Sequence, residues 1–300
     1  MLILDETAVR KFLSMQALIP AMERALHALS AGEVVQPLRV IVPVAEHGGF
    51  LGSMPAFAGG QLGAKLVTFY PDNQGAPTHH ALVVLFEPAT GEPRAVMDGR
   101  LITEMRTGAV SAVATKSLAR ADSPVLAILG AGAQAHSHLE ALRLVRHFRE
   151  IRVWSPRNAG EFAARFGVRL ARSAEEAVRG ADVVVVATTS RTPVLLGDWL
   201  SPGVHINAVG AVRPDWRELD DDVLRKAKLY VDSREAASRE SGDVIAAGAI
   251  VAEIGEVIGG VKAGRQSAEE LTLFKSVGVA VEDLASADLV YRKALAAQHP

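Results

Sequence analysis

Apolar residues follow two spacings in this chain, and the change from one to the other organises everything else. Residues 5–31 carry Val9, Phe12, Leu13, Met15, Ala17 and Leu18 at helical spacing, which predicts helix with a break at Pro20. Over 36–97 short β-rich runs take over, at 39–44, 65–69, 81–86 and 95–97. Turn clusters such as His47-Gly48-Gly49 and the stretch 71–75 separate them, so a mixed or mostly antiparallel sheet is expected. Residues 101–118 read as helix again, rich in Ala and Val.

At 120–124 the pattern breaks, and the alternation beyond is of another kind. Strands are expected at 125–129, 151–154, 182–187, 205–209 and 229–231, with helices at 133–147, 159–166 and 174–179. Apolar runs separated by helices imply strands buried on both faces, hence a parallel, doubly wound sheet. From about residue 269 the chain reads as helix to its end. The fold class is α/β: a Rossmann-type doubly wound domain plus an α+β domain.

The first of the parallel strands runs into Gly130-Ala-Gly132-Ala133-Gln134-Ala135, a G-x-G-x-x-A turn that opens a helix. Gly130 permits the tight turn, Gly132 admits a pyrophosphate close to the backbone, and Ala135 lets the helix lie near the sheet. Free N–H groups at the helix start complete a dinucleotide-binding signal. About 20 residues on, an acid would accept from the ribose 2′-OH of NAD. Here that strand ends Trp154-Ser155-Pro156-Arg157-Asn158, with no carboxylate. A cation with small polar groups suits a 2′-phosphate, so NADPH is expected, with NADH as the alternative.

Composition narrows the chemistry. Among 300 residues, 32 Lys and Arg face 34 Asp and Glu for a net charge of −2, which excludes a dominant electrostatic drive onto nucleic acid or an anionic membrane. The absence of cysteine excludes a thiol nucleophile and any Cys-ligated metal. No apolar run reaches the ~18 residues of a membrane span, and Asp5 and Glu6 stand where a signal peptide would be basic, so a cytoplasmic protein is expected. Three cations, Arg39, Lys65 and Arg106, lie on apolar elements of the first part. They either converge on an anionic substrate or form three separate ion pairs. His79 and His80 are neighbours on a strand and so point to opposite faces, which argues against a metal. His136 and His138 read as helix-surface residues or phosphate neighbours. No G-x-S-x-G elbow supports hydrolase chemistry.

Longer runs carry a resemblance that covers essentially the whole chain. Residues 206–221, Ile-Asn-Ala-Val-Gly-Ala-Val-Arg-Pro-Asp-Trp-Arg-Glu-Leu-Asp-Asp, resemble the ornithine cyclodeaminase/mu-crystallin family, as do 231–237, 240–244, 255–258 and 274–278. Within it, 36–39, 51–55, 65–70, 85–88 and 96–99 are most similar to the mu-crystallin (ketimine reductase) branch. The resemblance implies a substrate-binding and dimerisation domain, 1–120 plus about 280–300, and an NAD(P)-binding Rossmann domain, 121–279. It makes Arg39, Lys65 and Arg106 the binders of a substrate carboxylate, with Lys65 also handling a proton in a site poor in carboxylates. On the cofactor side it implies His79, Thr107, Gly130, Gly132, Ala133, Gln134, Ser155, Arg157, Asn158, Thr188, Thr189, Val209, Gly210 and Gly278.

The activity implied is NADPH-dependent reduction of a cyclic ketimine carboxylate, such as pyrroline-2-carboxylate or piperideine-2-carboxylate, by a homodimer. Its substrate would be a small imino or keto acid, and neither metal nor nucleic acid nor membrane takes part. Alternatives are an alanine or opine-type amino acid dehydrogenase and a non-catalytic binder of NADPH and a small ligand. Ornithine cyclodeamination is disfavoured, because Val212 stands where cyclodeaminases carry a catalytic Asp.

Overall fold

The computed structural model describes residues 1–298 and divides into two compact units, 1–106 with the chain from 278 onward, and 107–277. The expected boundary at 120–124 is the end of a helix; the division itself falls inside that helix, between Arg106 and Thr107. No change in residue pattern marks a helix that continues from one unit into the next, so spacing alone could not locate it.

The first unit contains β1 (Leu2–Leu4), α1 (Glu6–Phe12), α2 (Met15–Ser30), β2 (Val34–Val35), β3 (Val40–Val44), β4 (Gly49–Ala58), β5 (Gln61–Phe69), β6 (His79–Phe86), β7 (Pro93–Asp98) and the start of α3 (Arg100–Leu118). It is completed by the last helix, α11 (Ala280–Gln298). The strands form one sheet in the order β1-β7-β6-β5-β4-β2, with β3 also on β4, antiparallel except for β1 on β7. Helix α11 packs on β4, β5 and β6 and against α2. Gly63 makes that approach close: a Cβ there would lie 2.7 Å from Leu284 of α11.

Two expectations change in this unit. The break in the N-terminal helix falls at Leu13-Ser14, and Pro20 lies inside α2. Pro20 and Gln16, four residues earlier, are both exposed, so the carbonyl that loses its donor is left to water. Strand β4, rich in Gly, Ser and Pro, was hidden among the turn signals. Pro55 is tolerated because β2 pairs with Ala58 and Phe57 and β3 pairs from Ser53 back, so Pro55 sits in the gap between them.

The second unit follows the rest of α3 with β8 (Val125–Leu129), α4 (Ala133–Val145), β9 (Glu150–Trp154), α5 (Ala159–Phe166), β10 (Arg169–Leu170), α6 (Ala174–Val178), β11 (Val183–Val186) and β12 (His205–Ala208). Then come α7 (Asp221–Lys226), β13 (Ala227–Val231), α8 (Arg234–Glu240), α9 (Gly242–Ala247), β14 (Ala252–Glu253), α10 (Ile254–Ile258) and β15 (Leu271–Lys275). All strands are parallel, in the order β10-β9-β8-β11-β12-β15-β13-β14. Strands β11 and β12 are buried along their whole length, as expected of central strands covered on both faces. The expected helix from about 269 is instead β15 followed by α11. A five-residue apolar run carries no helix-or-strand signal of its own, and insertion between β12 and β13 decides it.

Candidate active site

Lys65 lies on the covered face of β5, opposite the first turn of α11. Its side chain is 3% exposed, and its ammonium pairs with Asp283 Oδ2 at 2.7 Å. Arg106, on α3, reaches the same turn: its Nη1 donates to Glu282 Oε2 at 2.7 Å and its Nε to Asp283 Oδ1 at 3.2 Å. Arg39, just ahead of β3, donates from Nη2 to the Gly278 carbonyl at 2.7 Å, while Gln36 Oε1 accepts from the Val281 N–H at 3.0 Å. The three cations therefore gather around the start of one helix. Gly278 is required there twice over: its φ is +76°, and a Cβ would lie 2.5 Å from Arg106 Nη1. The Gly278 carbonyl thus holds Arg39, and its lack of a side chain leaves room for Arg106.

The cluster sets its own protonation. Burial, then the neighbouring Arg106 and Arg39, lower Lys65 to about 8 against the pull of Asp283. Burial alone would raise the Asp283 carboxyl, yet Lys65 and Arg106 outweigh it and hold it below its ordinary value. His79, half-buried at the start of β6, is lowered to about 4 by burial and by Lys65 and Arg106, and is neutral at pH 7. His80 beside it is exposed. The expectation of a site poor in carboxylates is corrected by Glu282 and Asp283, both fully buried. Their signal was obscured because the helix was expected to begin well before them, which made two adjacent acids look like ordinary helix-surface charge.

In the second unit the glycine turn has the expected geometry. Gly130 has φ +120°, and a Cβ there would collide with the Ala187 carbonyl after β11. At Gly132, the N-cap of α4, an added Cβ would meet nothing within 4 Å. Gln134 Oε1, in the first turn of α4, is a buried acceptor without a donor among the described residues. An open approach to a helix N-terminus suits an anionic group such as the pyrophosphate of a dinucleotide. After β9, Arg157 and Asn158 are exposed, Ser155 is half-buried, and Asn158 is left-handed at φ +63°. Thr107 is buried on α3 one residue before Gly108, where a Cβ would sit 2.5 Å from the Ser137 carbonyl of α4. His138, expected at a surface, is fully buried: its Nδ1 lies 2.7 Å from the Gln134 carbonyl and its Nε2 2.8 Å from Ser111 Oγ.

A third group joins Lys275, which the resemblance places in a segment near the cofactor, to Glu218 and Asp243, which sequence reasoning missed; all three are essentially without exposure. Glu218 Oε1 accepts from the N–H and hydroxyl of Thr188 at 2.8 and 2.7 Å, and Oε2 from the N–H groups of Gly210 and Ala211 at 2.7 and 2.9 Å. Lys275 Nζ lies 3.8 Å from Glu218 and 3.3 Å from Asp243. Burial pushes the Glu218 carboxyl up, against Lys275 and Thr188. Three of its four partners are backbone N–H groups that can only donate, which favours the carboxylate form against that burial. Thr188 and Gly210 thus turn their N–H groups inward. Thr189 follows on the same loop, and Val209 N donates to Val186 O at 2.9 Å. Val212 comes two residues after Gly210 and supplies no carboxylate.

Among the described residues no set of three or more His, Cys, Asp or Glu side chains gathers in a way that would hold a metal, and no helix is long and apolar enough to cross a membrane. The family model for the ornithine cyclodeaminase/mu-crystallin family matches residues 1–298. The chain belongs to that family. It is 53% identical over 290 residues to the ketimine reductase mu-crystallin of Mus musculus, covering 93% of this chain and 92% of the mouse protein. Among solved structures it is similar to the Delta(1)-pyrroline-2-carboxylate reductase of Thermococcus litoralis in complex with NADH and L-proline, with TM-score 0.95 and 43% identity, covering 99% and 98% of the two chains. An archaeal alanine dehydrogenase dimer with bound NAD gives TM-score 0.94 at 39% identity, covering 99% and 97%.

Proposed function

We propose that this member of the family reduces cyclic ketimine carboxylates to the corresponding amino acids with NADPH. The observation that carries this reading is the gathering of Arg39, Lys65 and Arg106 about the start of α11, on a chain whose other unit carries a dinucleotide turn. A substrate carboxylate meets guanidinium groups whose orientation is already fixed, Arg106 by Glu282 and Asp283 and Arg39 by the Gly278 carbonyl. Lys65, lowered to about 8, still carries its proton at neutral pH and keeps the nitrogen of the substrate's C=N bond protonated and electrophilic. When bound, the dinucleotide supplies the hydride that the imine carbon accepts. Neutral His79 beside Lys65 adds no further positive charge.

The preference for NADPH rests on the loop after β9, where Ser155, Arg157 and Asn158 suit a 2′-phosphate and no carboxylate suits a free ribose. It is a departure from the two structural neighbours above, whose ligands are NADH and NAD. A homodimer is supported by the open face of the first unit's sheet. Val35, Val42, Leu51, Phe57, Leu66 and Leu82 are exposed on that face, opposite α11. A cytoplasmic setting goes with the same reading, since reduced dinucleotides are kept inside the cell.

The test is an absorbance assay of NADPH and NADH oxidation with pyrroline-2-carboxylate, piperideine-2-carboxylate, and pyruvate plus ammonium. Rapid NADPH oxidation with a cyclic ketimine and little with pyruvate is expected. Faster turnover of pyruvate with ammonium would make it an alanine dehydrogenase instead. Tight cofactor binding with no turnover of any substrate would leave only a binding role.

A further inference from the structure

The parallel sheet assigns different work to the two sides of β8. On one side lie β9 and β10, with Arg157 in the loop that follows β9; on the other lie β11 and β12. In sheets of this kind a dinucleotide spans the strand-order reversal along the carboxyl ends, one mononucleotide half on each side. The side of Arg157 is that of the adenine half, so the loops after β11 and β12 face the nicotinamide half. Those two loops are joined by one carboxylate, Glu218.

We propose that Glu218 is a positioning residue for the nicotinamide half of the dinucleotide, acting through the Thr188 and Gly210 loops and touching neither cofactor nor substrate. The inference rests on the cofactor reading above and adds to it which buried group shapes that half of the site. Each Glu218 oxygen holds one loop, Oε1 the Thr188 N–H and hydroxyl and Oε2 the N–H groups of Gly210 and Ala211. Gly210 is what allows the loops to meet, because a Cβ there would collide with both the Thr188 carbonyl and the Glu218 carboxylate. The clamp is itself fixed from below. Asp243 Oδ1 accepts from the N–H groups of Glu218 and Leu219 at 3.1 and 3.2 Å. Lys275, at the end of β15, sets one positive charge against the two carboxylates from a position with no solvent exposure.

A Gln at this position keeps the shape and changes the bonding. Its oxygen can accept from one loop, but its NH2 then confronts donors of the other, and one loop is released. The experiment measures, by calorimetry, the affinity of wild type and Glu218→Gln for NADPH, the full dinucleotide, and for its adenine half alone, ADP bearing the 2′-phosphate, alongside thermal melting. A loss of about tenfold or more in dinucleotide affinity, with affinity for the adenine half within about twofold of wild type, is expected, since one charge-assisted bonding arm is lost on one side only. Lower fluorescence enhancement of the bound reduced nicotinamide would accompany it. Thr188→Val, which removes only the hydroxyl arm, should shift the same ratio in the same direction by a smaller factor, and it serves if the Gln variant does not fold.

Equal weakening of dinucleotide and adenine half would reduce Glu218 to general scaffolding and overturn the proposal, as would no change in either. Wild type that binds neither ligand would instead overturn the cofactor reading itself.

Discussion

Lys65 and Asp283 meet at 2.7 Å with 3% and 1% of their side chains exposed, a strand residue paired with the first turn of the last helix. A buried pair of this kind is costly to desolvate and is a weak argument for stability, but removing either partner strands the other. It therefore reads as a device that fixes a proton and an orientation.

The first expectation concerns that proton. With Lys65 lowered to about 8, it is charged below that pH and neutral above it. kcat/KM should fall about tenfold per pH unit above roughly pH 8, if its proton is used in the reduction. Lys65→Arg stays charged throughout, so its profile should be flat over that range at a lower plateau, because a guanidinium does not replace an ammonium at a tight site. Measuring both profiles on the same ketimine cancels the titration of the substrate; an unchanged alkaline limb in the variant would remove Lys65 from the proton path.

Gly278→Ala should injure the site without touching a charged group. The left-handed φ of +76° and the 2.5 Å approach to Arg106 Nη1 both oppose a Cβ. Strain of about 1–3 kcal/mol is expected in a melting curve. kcat/KM should fall by one to two orders of magnitude as Arg106 is displaced, with dinucleotide affinity kept.

Cofactor choice should follow Arg157. Replacing it with Ala removes the cation offered to a 2′-phosphate, and KM for NADPH should rise about tenfold or more while KM for NADH stays within twofold. Equal changes for both cofactors would refute the assignment.

Leu66→Asp with Leu82→Asp places two charges on the open sheet face, where the two residues are cross-strand partners. Sedimentation should then show monomer in place of dimer, with the far-ultraviolet spectrum unchanged.

Acid should destabilise the protein through its buried histidines. His79 and His138 are lowered to about 4 and His205 to about 3, in each case first by burial. Between about pH 6.5 and those values the unfolded chain binds more protons than the folded one, so stability falls as the pH falls. His138→Gln should cost stability at pH 7, since Ser111 loses its partner, and should flatten the decline between pH 6.5 and 4 by one proton's worth of slope. Chemical denaturation across that range measures it.

By itself the sequence determined the elements whose signal is local. The strand–glycine–helix unit at β8 and α4, the helix α5, the carboxylate-free loop after β9 and the apolar runs of the parallel sheet all follow from neighbouring residues. The three clustered cations could be named, because a charge on an apolar element is conspicuous wherever it ends up. Tertiary structure decided what those residues meet. Leu271–Lys275 became a strand only because a place between β12 and β13 was open to it. Glu282 and Asp283 became buried partners of Lys65 and Arg106, and Glu218 became a clamp between loops 22 residues apart (210 − 188). Hydrophobic period and turn chemistry are properties of a few consecutive residues, whereas the partner of a buried charge is set by which distant segment the fold brings within about 3 Å, and no local pattern encodes that distance.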